Sequence, residues 1–376
     1  MRIAIIGPAH PYRGGGITTF NHRLAKEFQA QGHTCSIISF SMQYPSFLFP
    51  GKSQYTSEPA PENLSIRRMI NSVHPINWLK VGRQLRQEKW DLVVVRFWLP
   101  LMGPAFGTIL RLLKKNGYTK VVCIADNIIP HEHRPGDKPF TRYFLKACDA
   151  FITMSEKVLA DLKTFTTGKP IRLVPHPLYD NFGEPMPKDE ARKMLGLPAH
   201  DKLLLFFGFI RQYKGLDLLL QAMSDDRIRQ EKIKLLVAGE FYEDEKPYLD
   251  YILQNNLQDS VILRTNFIPD NEVRLFLSAA DCVVQPYRNA TQSGVTPLAY
   301  HFEKPMIVTN VGGLPALVPH QKVGLVTGAQ PSAIADAILR FYQLGEEFFI
   351  PHLRSEKQKY AWSNLTGAIL EMVEKV

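Results

Sequence analysis

The chain has 376 residues, of which 45% are apolar and 22% charged, and it contains 24 Gly and 27 Pro. This composition is typical of a folded globular protein and excludes a disordered or collagen-like chain. The length exceeds what one ordinary hydrophobic core supports, so two domains are expected.

The charge is spread unevenly along the chain. Residues 1–180 hold 24 Lys and Arg against 12 Asp and Glu, whereas residues 181–376 hold 21 against 24. A basic first half is consistent either with simple solubility or with an anionic partner, such as phospholipid headgroups or a phosphate-bearing substrate. The absence of a groove-reading motif argues against nucleic acid.

Targeting and redox signals predict a cytoplasmic protein. The run MRIAIIG has an apolar core too short for a signal peptide, and the least polar stretch, residues 97–110, carries two prolines. That stretch falls short of the roughly 20 residues that a spanning helix needs. The four cysteines show no CxxC spacing and are predicted to be free thiols. Peripheral attachment to the inner face of a membrane stays open.

In chain order, apolar runs of strand type alternate with helical stretches. The runs are RIAIIG, TCSIIS, DLVVVRF, KVVCIAD, AFITMS, IRLVPH, KLLLFFGF, IKLLVAGE, SVILRTNF, CVVQPY and PMIVTN. Their continuous apolarity indicates strands buried on both faces of parallel sheets. The α/β class with two Rossmann-like domains facing each other across a cleft is therefore predicted.

A Pro-rich segment without strand character, residues 174–198, sets the predicted domain boundary. The expected domains are residues 1–180 and residues 181–376, and the last helix can pack back on the first domain.

Two stretches of the first half carry predicted site residues. In GPAHPYRGGGIT, Gly15 and Gly16 are predicted to let a donor phosphate or sugar approach the backbone at a helix start. A loop with glycines for turning is the alternative, and the GxGxxG fingerprint is absent. In VVCIADNIIPHEH, Asp126, His131 and Glu132 are predicted to steer or deprotonate a hydroxyl. The alternative is that Asp126 caps a turn.

The second half carries the predicted donor site. In FFGFIRQYKG, Arg211 and Lys214 follow Gly208 at a strand end and are predicted to clamp a diphosphate. Solvated loop charges are the alternative for both cations. Gly239 of VAGE is placed in the same site. Ile268 of NFIPDNEV is predicted to read a base edge through its backbone, and Asp270 or Asn271 to cap the next helix.

The stretch NATQSGVTPLAYHFEKP contains a small polar turn before a helix but almost no acid. The backbone of Ser293, Gly294 and Val295, next to Gln292, is predicted to hold the donor phosphates. No carboxylate cluster has metal-ligand spacing, so neither a metal nor another cofactor is predicted.

These pieces in this order resemble glycosyltransferase family 4, the retaining group 1 enzymes of GT-B fold. The matching segments are GPAHPYRGGGI, DNIIPHE, GFIRQYKGLDLLL, VAGE, FIPDNEV, AADCVVQPY, SGVTPLAYHFEKPMIVTNVGGLPALV and GLV. The resemblance implies a nucleotide-sugar donor bound mainly by the second domain and an acceptor bound mainly by the first. It also implies that Arg211 and Lys214 hold the donor diphosphate.

The chain departs from the family at two glutamates, eight residues apart, that normally lie by the donor sugar and the ribose. Ungapped counting puts them at Ala290 and Leu298, and a shifted count puts them at Gln292 and Tyr300. Asp126 replaces a His of related sequences. In a front-face retaining transfer the leaving diphosphate can accept the acceptor proton, so this loss does not exclude catalysis.

The predicted function is a retaining, metal-independent transfer of a hexose-type sugar to a hydroxyl of a growing, lipid-linked cell-surface glycan. The segment INWLKVGRQLRQEKW is compatible with an anionic membrane surface and equally with a core-packed helix. The rival from another class is a catalytically silent nucleotide-sugar-binding protein. A sugar-nucleotide epimerase is a second rival, and it would need acids that the sequence supplies poorly.

Overall fold

The computed structural model describes residues 1–12, 16–45, 54–56, 59–129, 135–166, 168–290 and 293–376. The chain forms two compact units. Unit 1 comprises Met1–His176 and Ala361–Val376, and unit 2 comprises Pro177–Tyr360. The expected domains changed over at residue 180. The structure changes over at residue 176 and assigns the last segment to unit 1.

Unit 1 contains a sheet of seven described strands that all run parallel. The strands are β1 (Arg2–Ile6), β2 (Thr34–Met42), β3 (Ser65–Asn71), β4 (Leu92–Phe97), β5 (Lys120–Ala125), β6 (Ala150–Thr153) and β7 (Ile171–Leu173). Their order is β3-β2-β1-β4-β5-β6-β7. The order reverses between β1 and β4, which creates a crevice at their carboxyl ends.

Helices cover both faces of this sheet. They are α1 (Ile17–Ala30), α2 (Pro75–Gln87), α3 (Gly103–Lys114), α4 (Asp137–Leu145) and α5 (Glu156–Lys163). One core includes Phe106 and Phe144 on one face of the sheet, and the other includes Phe20 and Phe28 of α1 on the opposite face. Complete burial of β4 explains its apolar run, in which Arg96 is the one charged residue.

Unit 2 repeats the plan with six described parallel strands. They are β8 (Lys202–Phe207), β9 (Ile233–Ala238), β10 (Val261–Arg264), β11 (Cys282–Gln285), β12 (Met306–Thr309) and β13 (Gly324–Thr327). The order β10-β9-β8-β11-β12-β13 reverses between β8 and β11. The predicted α/β class with parallel sheets is confirmed.

The helices of unit 2 enclose a single hydrophobic core. They are α6 (Lys188–Leu195), α7 (Leu216–Met223), α8 (Asp226–Gln230), α9 (Lys246–Gln254), α10 (Val273–Ala279), α11 (Val295–His301), α12 (Leu314–Leu317), α13 (Pro331–Leu344) and α14 (Ile350–Lys357). The chain then returns to unit 1 as α15 (Trp362–Glu374), which buries Trp362, Leu365 and Ile369 in the core that also holds Phe20.

Because α15 completes a core of unit 1, removing its central side chain should destabilise that unit. Leu365→Ala leaves a cavity at a fully buried position and should lower the free energy of unfolding by about 2–5 kcal/mol. Urea unfolding measures the change, with Glu374→Ala on the exposed side of the same helix as the control. Equal unfolding midpoints for the two variants would contradict the role of α15.

Candidate functional site

Backbone segments lie close to one another at the carboxyl ends of β8 and β11, where the strand order of unit 2 reverses. Gly208 follows β8 with a φ of 93°, a conformation that favours glycine. Gly239 follows β9, and a side chain there would overlap the carbonyl of Gly208. Both predicted glycines therefore lie together at the end of the sheet.

A short 3-10 turn, Gln212–Lys214, brings Lys214 back over Gly208. The turn ends at Gly215, whose φ of 67° and contact with the Pro286 carbonyl leave no room for a side chain. The Lys214 ammonium lies 3.2 Å from where a Cβ on Gly208 would be. Lys214 and Gly208 are therefore neighbours at the end of β8.

Lys214 is a buried cation, with only 9% of the residue exposed. Burial, together with the nearby charge of Arg211, lowers the pKa of its ammonium to about 8. Among the described residues, no carboxylate lies within 4.0 Å of this nitrogen. The Tyr287 ring centroid is 5.9 Å away. Such a group favours an anionic ligand.

Arg211, the second predicted cation, starts the same turn but is exposed to solvent. Its guanidinium carbon lies 5.1 Å from the centroid of the Tyr242 ring, a cation–π distance. The Phe209 ring packs 4.3 Å from the same ring. Arg211 and Lys214 therefore border one turn, but their environments differ.

Hydrogen bonds to the segment after β9 position this turn. The Ile210 amide donates to the Glu240 carbonyl over 2.8 Å, and the Gln212 amide donates to a Glu243 carboxylate oxygen over 2.6 Å. The Tyr248 hydroxyl donates to the other Glu243 oxygen. The sequence analysis assigned no role to Glu243, because it lies in the acidic run YEDEKP, which has the pattern of an exposed helix start.

A buried polar cluster follows β11. The Ser293 hydroxyl donates to Gln285 Oε1 over 2.6 Å and accepts from the Val295 amide over 3.2 Å, and Thr296 also donates to Gln285 Oε1. Gly294 forms the N-cap of α11. Of the three backbone groups predicted to hold phosphate, the Val295 amide therefore already has an acceptor within the chain.

Three of the four positions that the two counts assign to the family glutamates are described, and all three are buried. Ala290 and Leu298 are both nearly inaccessible. Tyr300 is 1% exposed, and its hydroxyl donates to the Leu317 carbonyl over 2.8 Å. Tyr300 is thus a core residue whose hydroxyl already has an acceptor within the chain.

The segment after β10 also differs from expectation in one detail. Ile268 is half-buried and packs against the core of unit 2. Helix α10 has Glu272 as its N-cap, so the predicted capping by Asp270 or Asn271 is wrong. Reading of a base edge by Ile268 stays a prediction.

In unit 1, Asp126 follows β5 and is held by an arginine that the sequence analysis missed. The Arg96 Nε donates to one oxygen over 2.7 Å, and Nη2 donates to the other oxygen. Burial raises the pKa of the Asp126 carboxyl, and the Arg96 charge opposes that shift. A base role for Asp126 would have to break this pair. The signal was available, because Arg96 is a charge inside an apolar strand.

The remaining predicted residues lie around α1 or outside the described part of the chain. Gly16 forms the N-cap of α1 with a φ of 54°, and the first turn of this helix contains no acid. Gly15, His131, Glu132 and Gln292 lie outside the described residues, so their roles stay predictions.

Neither a metal site nor a membrane span occurs among the described residues. No group of three or more His, Cys, Asp or Glu side chains has the arrangement of a metal site there. None of the helices in this part of the chain is both long and apolar enough to cross a membrane.

The fold and the site together define a class of protein. Solved structures with this architecture include a sucrose-phosphate synthase from Thermosynechococcus elongatus, 17% identical, with a TM-score of 0.68 over 100% of this chain and 99% of the other. Anabaena HepE in complex with UDP is 15% identical, with a TM-score of 0.71 over all of both chains. At these identities the likeness shows the fold alone, which is GT-B.

Family models then identify the chain more closely. The model "Glycosyltransferase Family 4" matches residues 14–180, and the model "Glycosyl transferases group 1" matches residues 201–343. Together they span well over half of the chain. The protein therefore belongs to the group 1, family 4 type of glycosyltransferases, as its motifs predicted.

Similar curated proteins come from several bacteria. A D-inositol 3-phosphate glycosyltransferase from Corynebacterium urealyticum is 29% identical over 49% of this chain and 45% of that protein. A putative teichuronic acid biosynthesis glycosyltransferase from Bacillus subtilis is 26% identical over 67% and 61%, respectively. The chain spans about half the length of the curated relatives it matches.

The buried ammonium of Lys214 is expected to lower the stability of the ligand-free protein while favouring the binding of an anion. The pKa of Lys214 falls from 10.5 to about 8 on folding, so its charge destabilises the native state below pH 8, and stability rises with pH between 8 and 10.5. Lys214→Met should raise the ligand-free free energy of unfolding by on the order of 1–3 kcal/mol at pH 7, and by progressively less as the pH rises through this window.

Urea unfolding across this pH range tests this expectation. Lys193→Met, which removes an exposed lysine of α6, is the control and should change little. A Lys214→Met protein that is less stable than wild type at pH 7 would show that the ammonium is stabilised by the fold itself.

Proposed function

We propose that the protein is a retaining glycosyltransferase that moves a hexose-type sugar from a nucleoside diphosphate to a hydroxyl group. The observation that carries this proposal is the Lys214 ammonium, buried at the reversal of the strand order without a described carboxylate partner. Burying an ammonium costs several kcal/mol unless an anion accompanies it. A diphosphate supplies that anion, and family membership makes a nucleotide-sugar the source.

Unit 2 is proposed to hold this donor. Gly208 and Gly239 open the backbone at the ends of β8 and β9, while Lys214 and Arg211 supply positive charge beside them. Anabaena HepE, which shares the fold, was solved in complex with UDP, and this supports a uridine nucleotide as the first donor to test. Ile268 and the segment of Ser293 and Gly294 are proposed to complete the donor site.

The proposed chemistry keeps the anomeric configuration of the sugar. The bond between the anomeric carbon and the leaving diphosphate oxygen breaks, and the acceptor oxygen bonds to the same face of that carbon. The departing diphosphate oxygen takes the acceptor proton. The task of the protein is to stabilise the charge that develops on the diphosphate, which Lys214 and Arg211 are placed to do.

Two cations at the diphosphate also make a divalent metal unnecessary in this proposal. Lys214 sits in a low-dielectric place where its charge interacts strongly with a phosphate, and Arg211 adds a second cation along the same turn. Transfer is therefore proposed to be independent of metal ions.

The acceptor is proposed to bind unit 1 and to be a glycan, growing on a lipid, for the cell surface. The names of the relatives, which include a D-inositol 3-phosphate glycosyltransferase and a putative teichuronic acid biosynthesis glycosyltransferase, support a polyhydroxylated acceptor. The sequence analysis left open whether the basic stretch around α2 meets a membrane or packs in the core.

Helix α2 buries Val81 and Leu85 and exposes a stripe on its other side. Ile76 and Leu79 on this stripe are 73% and 40% exposed, and the exposed Lys80 and Arg83 continue it. Apolar side chains followed by cations are the arrangement that binds an anionic membrane surface. Peripheral attachment through this α2 stripe is proposed on that basis.

The rival hypothesis is a nucleotide-sugar-binding protein without catalysis. Its supporting observation is that the described positions of the family glutamates hold Ala290, Leu298 and Tyr300. None of these residues has a carboxylate, and all three are buried. Both hypotheses predict donor binding, so only turnover separates them.

Turnover tests the proposed function directly. Wild-type protein, incubated with UDP-, GDP- and ADP-sugars and lipid-linked acceptor extracts, should release nucleoside diphosphate without added metal. Proton NMR of the product should show the donor's anomeric configuration. Lys214→Ala should lower kcat roughly 100-fold and Arg211→Ala roughly tenfold or more. The exposed Arg340→Ala serves as the control.

The outcomes divide the hypotheses cleanly. Donor binding without release from any sugar nucleotide would favour the silent binding protein. An inverted product would reject the retaining mechanism, and full activity of both cation variants would reject their placement on the diphosphate.

Membrane attachment has its own test. Lys80→Glu with Arg83→Glu should abolish salt-sensitive binding to phosphatidylglycerol vesicles, because both charges lie on the α2 stripe. Lys157→Glu with Lys163→Glu makes the same charge change on exposed positions of α5 and should keep the binding. Equal losses in the two variants, or no vesicle binding by wild type, would contradict the assignment.

A further inference from the structure

The turn that carries the two cations, residues 211–214, is called the cation turn below, and it is capped from another part of the chain. The first amide groups of a helical turn have no partner within it and need an outside acceptor. Arg211 occupies the N-cap position, and within the described residues its side chain makes no capping hydrogen bond. The Glu243 carboxylate fills this role, since it accepts from the Gln212 amide over 2.6 Å. A side chain far along the sequence thus replaces the usual local cap.

The Glu243 carboxylate is itself held in place by α9. The Tyr248 hydroxyl donates to its second oxygen. Tyr248 is 7% exposed, and burial and the hydrogen bond to Glu243 both raise the pKa of its hydroxyl, which therefore stays protonated as a donor. Hydrogen bonds to a carboxylate are roughly twice as strong as those between neutral groups. The two bonds of Glu243 therefore connect the cation turn firmly to α9.

Residues 240–243 contact the chain on both sides of Arg211. Before it, the Tyr242 amide donates to the Ile210 carbonyl over 3.0 Å. After it comes the bond from the Gln212 amide. The Tyr242 ring centroid also lies 5.1 Å from the Arg211 guanidinium carbon. One segment therefore fixes the backbone around Arg211 and contacts its side chain.

The Lys214 end of the cation turn is held by a different segment, the one after β11. The Arg288 amide donates to the Tyr213 carbonyl over 2.7 Å, next to Lys214. The two cations are thus positioned from two different strand ends. A change at Glu243 is therefore expected to act on Arg211 and to leave Lys214 in place.

Arg211 is exposed to solvent, and an exposed arginine loses rotamer freedom when it binds a ligand. A backbone and a ring that hold it in advance reduce this loss, so the ligand binds more tightly. We propose that Glu243 and Tyr248 are positioning residues that hold Arg211 ready for the diphosphate of the donor. The role in transfer rests on the proposed function. The effect on anion binding does not, because inorganic pyrophosphate presents the same two phosphates.

Calorimetric titration with inorganic pyrophosphate measures the effect without nucleotide or acceptor. Glu243→Ala should weaken pyrophosphate binding about tenfold, the loss expected for one hydrogen bond to a charged group. Glu243→Gln keeps an acceptor oxygen for the Gln212 amide and should stay within about threefold of wild type. The matched control, Glu245→Ala, removes the same charge from an exposed position. It should stay within about twofold, because salt screens exposed charges.

Two further variants separate positioning from a general loss of structure. Tyr248→Phe removes only the donor to the second Glu243 oxygen and should weaken binding about threefold. In the Arg211→Ala background, Glu243→Ala should cause no further loss, because its effect passes through Arg211. A structural defect would weaken binding equally in both backgrounds.

Four outcomes would overturn the proposal. They are equal losses from Glu243→Ala in both backgrounds, full binding by Glu243→Ala, a Glu243→Gln protein as weak as Glu243→Ala, and no pyrophosphate binding by wild type. The third outcome would show that the hydrogen bond to the Gln212 amide is not the connection that matters.

Kinetics with an accepted donor and acceptor test the role in transfer. Glu243→Ala should lower kcat/KM for the donor about tenfold, as is expected for Arg211→Ala, and keep the acceptor KM within about twofold. Pyrophosphate binding that depends on Glu243, without turnover in wild type, would contradict the proposed function alone. Turnover that does not depend on Glu243 would contradict this inference alone.

Discussion

The ammonium group of Lys214 is buried, and only 9% of the residue is exposed. Among the described residues, no carboxylate lies within 4.0 Å of its nitrogen. The conformation of the surrounding backbone makes this burial possible. Gly208 leaves room for the ammonium, and Gly215 lies close against the Pro286 carbonyl. Hydrogen bonds donated to the segment after β9 hold the turn in place. Burial lowers the pKa of this ammonium to about 8, so the charged form destabilises the ligand-free fold. A ligand that removes this cost gains the corresponding binding energy, as expected where stability is exchanged for function.

The crevice of unit 1 handles charge in the opposite way. Arg96 is more deeply buried than Lys214, but two of its nitrogens donate to a carboxylate, that of Asp126. The place where the strand order reverses therefore holds an unpaired cation in unit 2 and an ion pair in unit 1. This difference suits an anionic ligand in unit 2, because an unpaired charge interacts strongly with an anion in a low-dielectric place.

Prediction from sequence succeeded where the signal was local. Apolar runs such as β4 and β6 marked the strands, and glycines after β8 and β9 marked the turns. Prediction failed where a residue depends on distant neighbours. The half-exposed edge strand β3 lacks a continuous apolar run, so it escaped the list of strands. Tyr300 looked like a polar substitute for a glutamate, although its hydroxyl only satisfies the Leu317 carbonyl in the core. Glu243 looked like an exposed charge, although it anchors the cation turn.

The sequence by itself determined the parallel α/β class and the family, because burial on both sheet faces and glycine-rich turns leave local patterns. It also predicted a donor site at Gly208, Arg211 and Lys214. Only the tertiary structure decided which charges are balanced. Arg96 and Asp126 are thirty residues apart and meet because β4 and β5 are neighbours in the sheet. Lys214 lacks a partner because no acidic side chain of the described residues approaches it. Pairing depends on the distance between side chains in space, and strand order in the folded sheet sets that distance.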